Sequence, residues 1–197
     1  HSTWALADHD AFVMLFISVG FMYWLRAVKY AGSARISKTT SPHPLSFVRA
    51  FHDVAANRQA ALANAALAGV AFGIVSLGWK GFVVGPSILF LAYALQVALN
   101  MFRRRDSTTL SVMFLVMLTT TFLMGLPFYA HPQLNLVFDS TGLQPFLFIF
   151  GFTIAIAFVT TGFRDKPWLL VLGTLTAVAA VFFTVCLLYT SDAADES

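Results

Sequence analysis

An all-α, polytopic membrane helix bundle is the fold class this sequence predicts, and three observations predict it. Hydrophobic residues make up 58% of the 197-residue chain and charged residues only 11%. Mean hydropathy is +0.77. Soluble domains run at roughly 45–50% apolar and about 25% charged, because a water-facing surface has to be covered by polar groups. The third observation is order along the chain: the apolar residues fall into six runs, each near the roughly twenty residues a helix needs to cross the hydrocarbon core. No water reaches the backbone there, so the runs are expected as helices that satisfy their own N–H and C=O groups.

The first run, 11–28, follows the stretch WALADHDAF (Trp4 to Phe12), and no charged residue stands between Asp10 and Arg26. The linker after it contains SFVRAFHDVAANR, which reads as a short interfacial helix around Asp53. The second run, 60–78, is rich in Ala and places Gly69 and Gly73 in GxxxG spacing. Small residues at that spacing let two helices approach closely, and a general packing face is expected rather than a dedicated dimer seam. The third run, 83–102, opens on Gly85-Pro86, and the fourth, 109–129, has Pro127 near its end. Proline costs least at helix ends, where its missing N–H is not needed. The fifth and sixth runs are 145–163 and 168–188.

Basic residues orient the runs. The loops 29–59, 103–108 and 164–167, with Arg26 at the mouth of the first, hold eleven of the twelve Lys and Arg; the other side has only Lys80. By the positive-inside rule those loops are expected in the cytoplasm. Residues 1–10 and 129–145 are then extracytoplasmic, and the chain is expected in the cell membrane. Setting topology accounts for the basic loops, although Arg103–Arg105 also suit anionic lipid headgroups. Nucleic-acid binding is not expected: no basic folded face with interleaved aromatics is present.

The end of the chain differs in kind. The run CLLYTSDAADE, from Cys186 to Glu196, contains the only Cys, the only Glu and three of the nine acids. It resembles a translated sequencing-library adapter, so residues 186–197 are expected to be non-native. Residues 1–185 are then expected to be an internal part of a membrane domain, with twelve basic residues against six Asp.

Those six acids narrow the chemistry. Asp106 and Asp165 stand beside arginines in the basic turns, Asp53 is in the linker, and Asp8, Asp10 and Asp139 are on the outer side. No acid falls inside a run, which excludes a carboxylate relay through the bilayer by these residues. Asp8 and Asp10 are two apart. In an extended segment both carboxylates would stand on one side, with His9 on the other, as hard oxygen ligands for Mg²⁺ or Mn²⁺. If a helix begins here, one of them is an N-cap. Spacing leaves both forms open. His131 and Asp139 either approach the same place or belong to a solvated turn. Lys80 either meets an anionic group or snorkels at a helix end.

An outward DHD followed at once by a span resembles the second acidic motif of the STT3/AglB family, the membrane-embedded catalytic subunits of oligosaccharyltransferase with the GT-C glycosyltransferase fold. ALADHD is similar to the archaeal "GFADHH" form, and LGWKGFVVG (77–85) resembles the "TWxGG"-like turn that follows it. Six runs after Asp10 match the six spans that separate that motif from the family's fifth external loop. The resemblance implies an inverting transfer of a glycan from a dolichyl phosphate or diphosphate carrier to Asn of Asn-X-Ser/Thr acceptors, at the outer membrane face. It makes Asp8 and Asp10 catalytic metal ligands for Mn²⁺ or Mg²⁺, with His9 a possible further ligand or a packing group.

The resemblance also implies missing parts. The first acidic motif, the TIxE- or SVSE-type glutamate loop and the WWDYG-type sequon reader have no counterpart in these residues, so the chain alone is expected to be inactive. A multi-pass transporter or a non-catalytic membrane scaffold is the alternative. The transporter has thin support, since the third and fourth runs offer few polar groups, Gln96, Asn100 and the Thr119–Thr121 cluster among them.

Overall fold

A computed structural model of the chain describes residues 3–31, 46–103, 105–129 and 143–162, together with Gly173. Every regular element among the described residues is helical: α1 (Thr3–Ala31), α2 (Ser46–Asn57), α3 (Gln59–Gly78), a 3₁₀ turn (Lys80–Val83), α4 (Val84–Phe102), α5 (Thr108–Tyr129) and α6 (Leu143–Gly162). Five stretches are long and apolar enough to cross a membrane, namely Asp10–Ala31, Gln59–Gly78, Gly81–Phe102, Thr108–Pro127 and Leu143–Thr161. They correspond to the first five expected runs. The sixth, 168–188, lies outside the described residues apart from Gly173, as do His131, Asp139 and the end from Cys186 onward.

Proline marks beginnings and ends as its chemistry requires. Pro86 and Pro145 stand in the first turns of α4 and α6, and Pro127 in the last turn of α5. In a first turn the absent N–H would have had no intrahelical partner. Asp106 opens α5, accepting from the Thr108 backbone N–H at 3.0 Å and from its hydroxyl at 2.6 Å. α2 coincides with the interfacial helix expected around Asp53. It hands over to α3 within one residue, with the Arg58 N–H bonded to the Val54 carbonyl and the Leu62 N–H to the Arg58 carbonyl.

The contacts reveal an alternating bundle with α3 in its middle, packed most extensively on α1 and α5. A methyl group at Gly69 would meet Met117 and Thr120, and one at Gly73 would meet Met124 and Thr121, so residue numbers rise together and α3 runs parallel to α5. Tyr93 stacks on Phe114 while Asn100 bonds Ser107, so α4 is antiparallel to α5. Phe82 meets Phe146 and Phe90 meets Phe152, making α4 parallel to α6. α1 is antiparallel to α3: Gly20 faces Phe72, and one turn further Trp24 meets Phe114, which lies just before the level of Gly69.

Two features of α3 make this close packing possible. The GxxxG pair sits in the α3–α5 seam, inside the chain, and the Thr121 hydroxyl bridges that seam to the Gly69 carbonyl at 3.1 Å while also meeting its own Met117 carbonyl at 3.0 Å. On the other side the fully buried Phe72 ring lies against Gly20 of α1 and Gly85 of α4, where any Cβ would strike it. Its edge contact with Phe21, at 5.9 Å between centroids, completes the joint. In lipid there is no hydrophobic drive between helices, so such shape matching and interhelical hydrogen bonding hold the bundle together.

Candidate functional site

The acidic stretch is part of α1. The helix starts at Thr3, five residues before Asp8, and passes through Asp8, His9 and Asp10 without interruption. Neither backbone form allowed by the spacing is the observed one: the segment is not extended, and neither aspartate stands at the helix start. The physical reason lies in the residues before it. Ala5, Leu6 and Ala7 are good helix formers and continue the helix outward past the apolar run.

This backbone has a direct geometric consequence. At about 100° per residue, positions two apart stand roughly 200° around the helix axis from one another. Residues at i and i+2 do not share a helix face. Asp10 itself is exposed at the start of the candidate span. Among the described residues, no three His, Cys, Asp or Glu gather closely enough to hold one ion.

The GWKGF turn is well ordered by its own residues. A methyl group at Gly81 would strike the Trp79 indole, which is folded over it, and the Phe82 N–H bonds the Trp79 carbonyl at 3.2 Å. Trp79 packs, half-buried, at the edge of the core. By the alternation of helices, this turn lies at the same end of the bundle as the acidic stretch. Arg58, Arg103 and Arg105 lie at the other end, with Arg26 and Lys29.

A polar seam between α4 and α5 escaped the reading of the sequence. Tyr93 and Ser111 share a buried hydrogen bond of 2.9 Å. Gln96 donates to the Asn100 side-chain oxygen at 3.0 Å, and Asn100 donates to the Ser107 hydroxyl at 3.2 Å. The signal was present: Tyr93, Gln96 and Asn100 recur at helical spacing, as do Ser107 and Ser111 on the partner. The seam lies toward the basic end, and each of these groups finds a partner within it. Thr120, and Thr121 in the α3–α5 joint, bond back to their own helix.

No family model, no curated protein and no solved structure matches the chain.

Proposed function

We propose that this chain is part of the membrane domain of an inverting oligosaccharyltransferase of GT-C type, which moves a glycan from a dolichyl phosphate or diphosphate carrier to Asn of Asn-X-Ser/Thr acceptors. The observation that carries the reading is the ALADHD stretch at one end of an alternating apolar bundle, with Arg26, Lys29, Arg58, Arg103 and Arg105 at the other end and Lys80 the exception. Under the positive-inside rule the acidic end faces outward, where a lipid-linked donor meets a secreted acceptor. An amide nitrogen is a poor nucleophile because its lone pair is delocalised into the carbonyl. A carboxylate that accepts from the amide N–H favours a twisted, more reactive form of it. On α1 Asp8 and Asp10 stand two positions apart, roughly 200° around the helix axis, and the reading has groups from outside these residues complete the site. The divalent cation, Mn²⁺ or Mg²⁺, belongs to the proposal on the same terms.

The test is transfer of glycan from a lipid-linked donor to a fluorescent Asn-X-Thr peptide by the protein encoded by the source gene, comparing the native enzyme with Asp8→Ala and Asp10→Ala. Loss of at least a hundredfold in rate at unchanged expression supports the reading; unchanged transfer by both variants overturns it.

One observation favours a second reading. α1 runs through the acidic stretch without interruption, which suits a helix end at the membrane surface as well as a site, and a non-catalytic scaffold needs nothing more. In that case both alanine variants insert normally and no transfer is detectable in the native protein either.

A further inference from the structure

The outer surface of α1 carries a second feature, at the end opposite the acidic stretch. A groove of about 530 Å³ is lined by Ser18, Phe21, Met22, Leu25, Arg26 and Lys29. These positions follow the i, i+3, i+4, i+7 pattern, so they form one continuous stripe over three turns of a single helix. We propose that this groove holds an anionic phospholipid, with an acyl chain on Phe21, Met22 and Leu25 and the phosphate between Arg26 and Lys29.

The stripe changes from apolar to cationic along its length, in the order in which a lipid presents its chain and its headgroup. Arg26 and Lys29 are three apart and both exposed, so they share a face, and both line the groove. The Arg26 guanidinium lies 5.9 Å from the centre of the Tyr23 ring, a contact that biases where it stands. A single basic residue at a span end would need no ligand, since snorkelling explains it. Two on one stripe, continuous with an apolar trough, make a surface complementary to an acyl chain ending in an anion.

α1 is the least buried of the five candidate spans: only 22% of its span is buried, and on this stripe Leu25 is 68% exposed. A protein occupant would have to bring a counter-charge to Arg26 and Lys29. The apolar run 168–188 has no acid, and Arg164–Lys166 before it is net basic. A second copy of α1 would set like charges together. Anionic lipid is the occupant that charge favours. The inference does not depend on the glycosyl-transfer reading.

The experiment uses the full chain in phosphatidylcholine nanodiscs containing a trace of phosphatidylglycerol with a photoactivatable group on its acyl chain. Labelled peptides are mapped by mass spectrometry, in competition with unlabelled phosphatidylglycerol, phosphatidylcholine or soluble glycerol phosphate. The expected result is labelling within residues 18–29, competed by phosphatidylglycerol at least tenfold better than by phosphatidylcholine and not by glycerol phosphate. A basic residue at the surface adds about fivefold to anionic-lipid affinity. Arg26→Gln and Lys29→Gln together should therefore bring the two lipids to near equality, whereas Arg26→Lys with Lys29→Arg should preserve the preference. Leu25→Trp, which fills the trough without changing charge, should reduce labelling by both lipids. Equal competition by the two lipids in the native chain overturns the proposal. So does labelling that the double Gln variant leaves unchanged, competition by glycerol phosphate, or absence of label from α1, the outcome if protein covers that face.

Discussion

Replacing Gly69 by alanine adds one methyl group, and the structure states what that methyl would meet. The added Cβ would overlap the Met117 carbonyl oxygen and lie 2.7 Å from the Thr120 Cβ and 3.2 Å from the Met117 carbonyl carbon. Two of these are backbone atoms of α5, which cannot swing aside as the end of a long side chain can, so α3 and α5 must separate. Overpacking a closed interface costs about 1–3 kcal/mol. Separation by an ångström also stretches the Thr121–Gly69 hydrogen bond, now 3.1 Å, beyond its working range. In membrane proteins such a bond is worth about 0.6 kcal/mol. Against this, alanine is the better helix former by up to about 1 kcal/mol. The net expectation is a loss of roughly 1–3 kcal/mol.

Gly151 supplies the matched control, since a Cβ there meets nothing within 4 Å. Gly151→Ala should keep the helix-propensity gain alone and stabilise by up to about 1 kcal/mol. Reversible SDS unfolding in mixed micelles, followed by tryptophan fluorescence, measures both variants on one scale. If the two substitutions agree within about 0.5 kcal/mol, the argument that backbone contact at Gly69 limits the α3–α5 distance is wrong.

Other expectations follow from the polar groups. Tyr93→Phe and Ser111→Ala should each cost about 1 kcal/mol, with the double variant costing little more than either single one, because each single change strands a buried hydroxyl and the double change removes both. The same unfolding assay completes that cycle; strict additivity would show that the pair does not interact. Asp106→Ala removes the oxygen that the Thr108 N–H and hydroxyl share and should cost about 1 kcal/mol of cap stability. Asp106→Asn should recover most of it, since the amide oxygen can accept the same bonds; failure of that recovery would mean that charge, and not capping, is what Asp106 supplies.

The site was legible in residue type but not in form. ALADHD announced carboxylates beside a membrane run, and spacing alone left an extended chelate and a helix cap both open. The structure takes neither form, because good helix formers ahead of Asp8 carry α1 outward to Thr3. The polar seam of Tyr93, Asn100, Ser107 and Ser111 was missed for a different reason. Helical spacing aligns Tyr93 with Asn100 and Ser107 with Ser111, but the two sets become a network only when α4 folds back on α5.

What the sequence determined alone is what local chemistry controls. Length and hydropathy of each run specify a helix that can cross a membrane, since a backbone in lipid has to satisfy its own polar groups. The placement of Lys and Arg specifies which helix ends lie together. Proline marks where helices begin and end. Tertiary structure decided the rest: that the Gly69–Gly73 pair serves the α3–α5 seam, that Phe72 is lodged between Gly20 and Gly85, and that α3 is central. Hydropathy is blind to these choices, because every face of these helices is apolar and lipid solvates apolar side chains as well as a neighbouring helix does. Only the fit of particular shapes, and the few hydroxyls that find partners, distinguishes one packing from another.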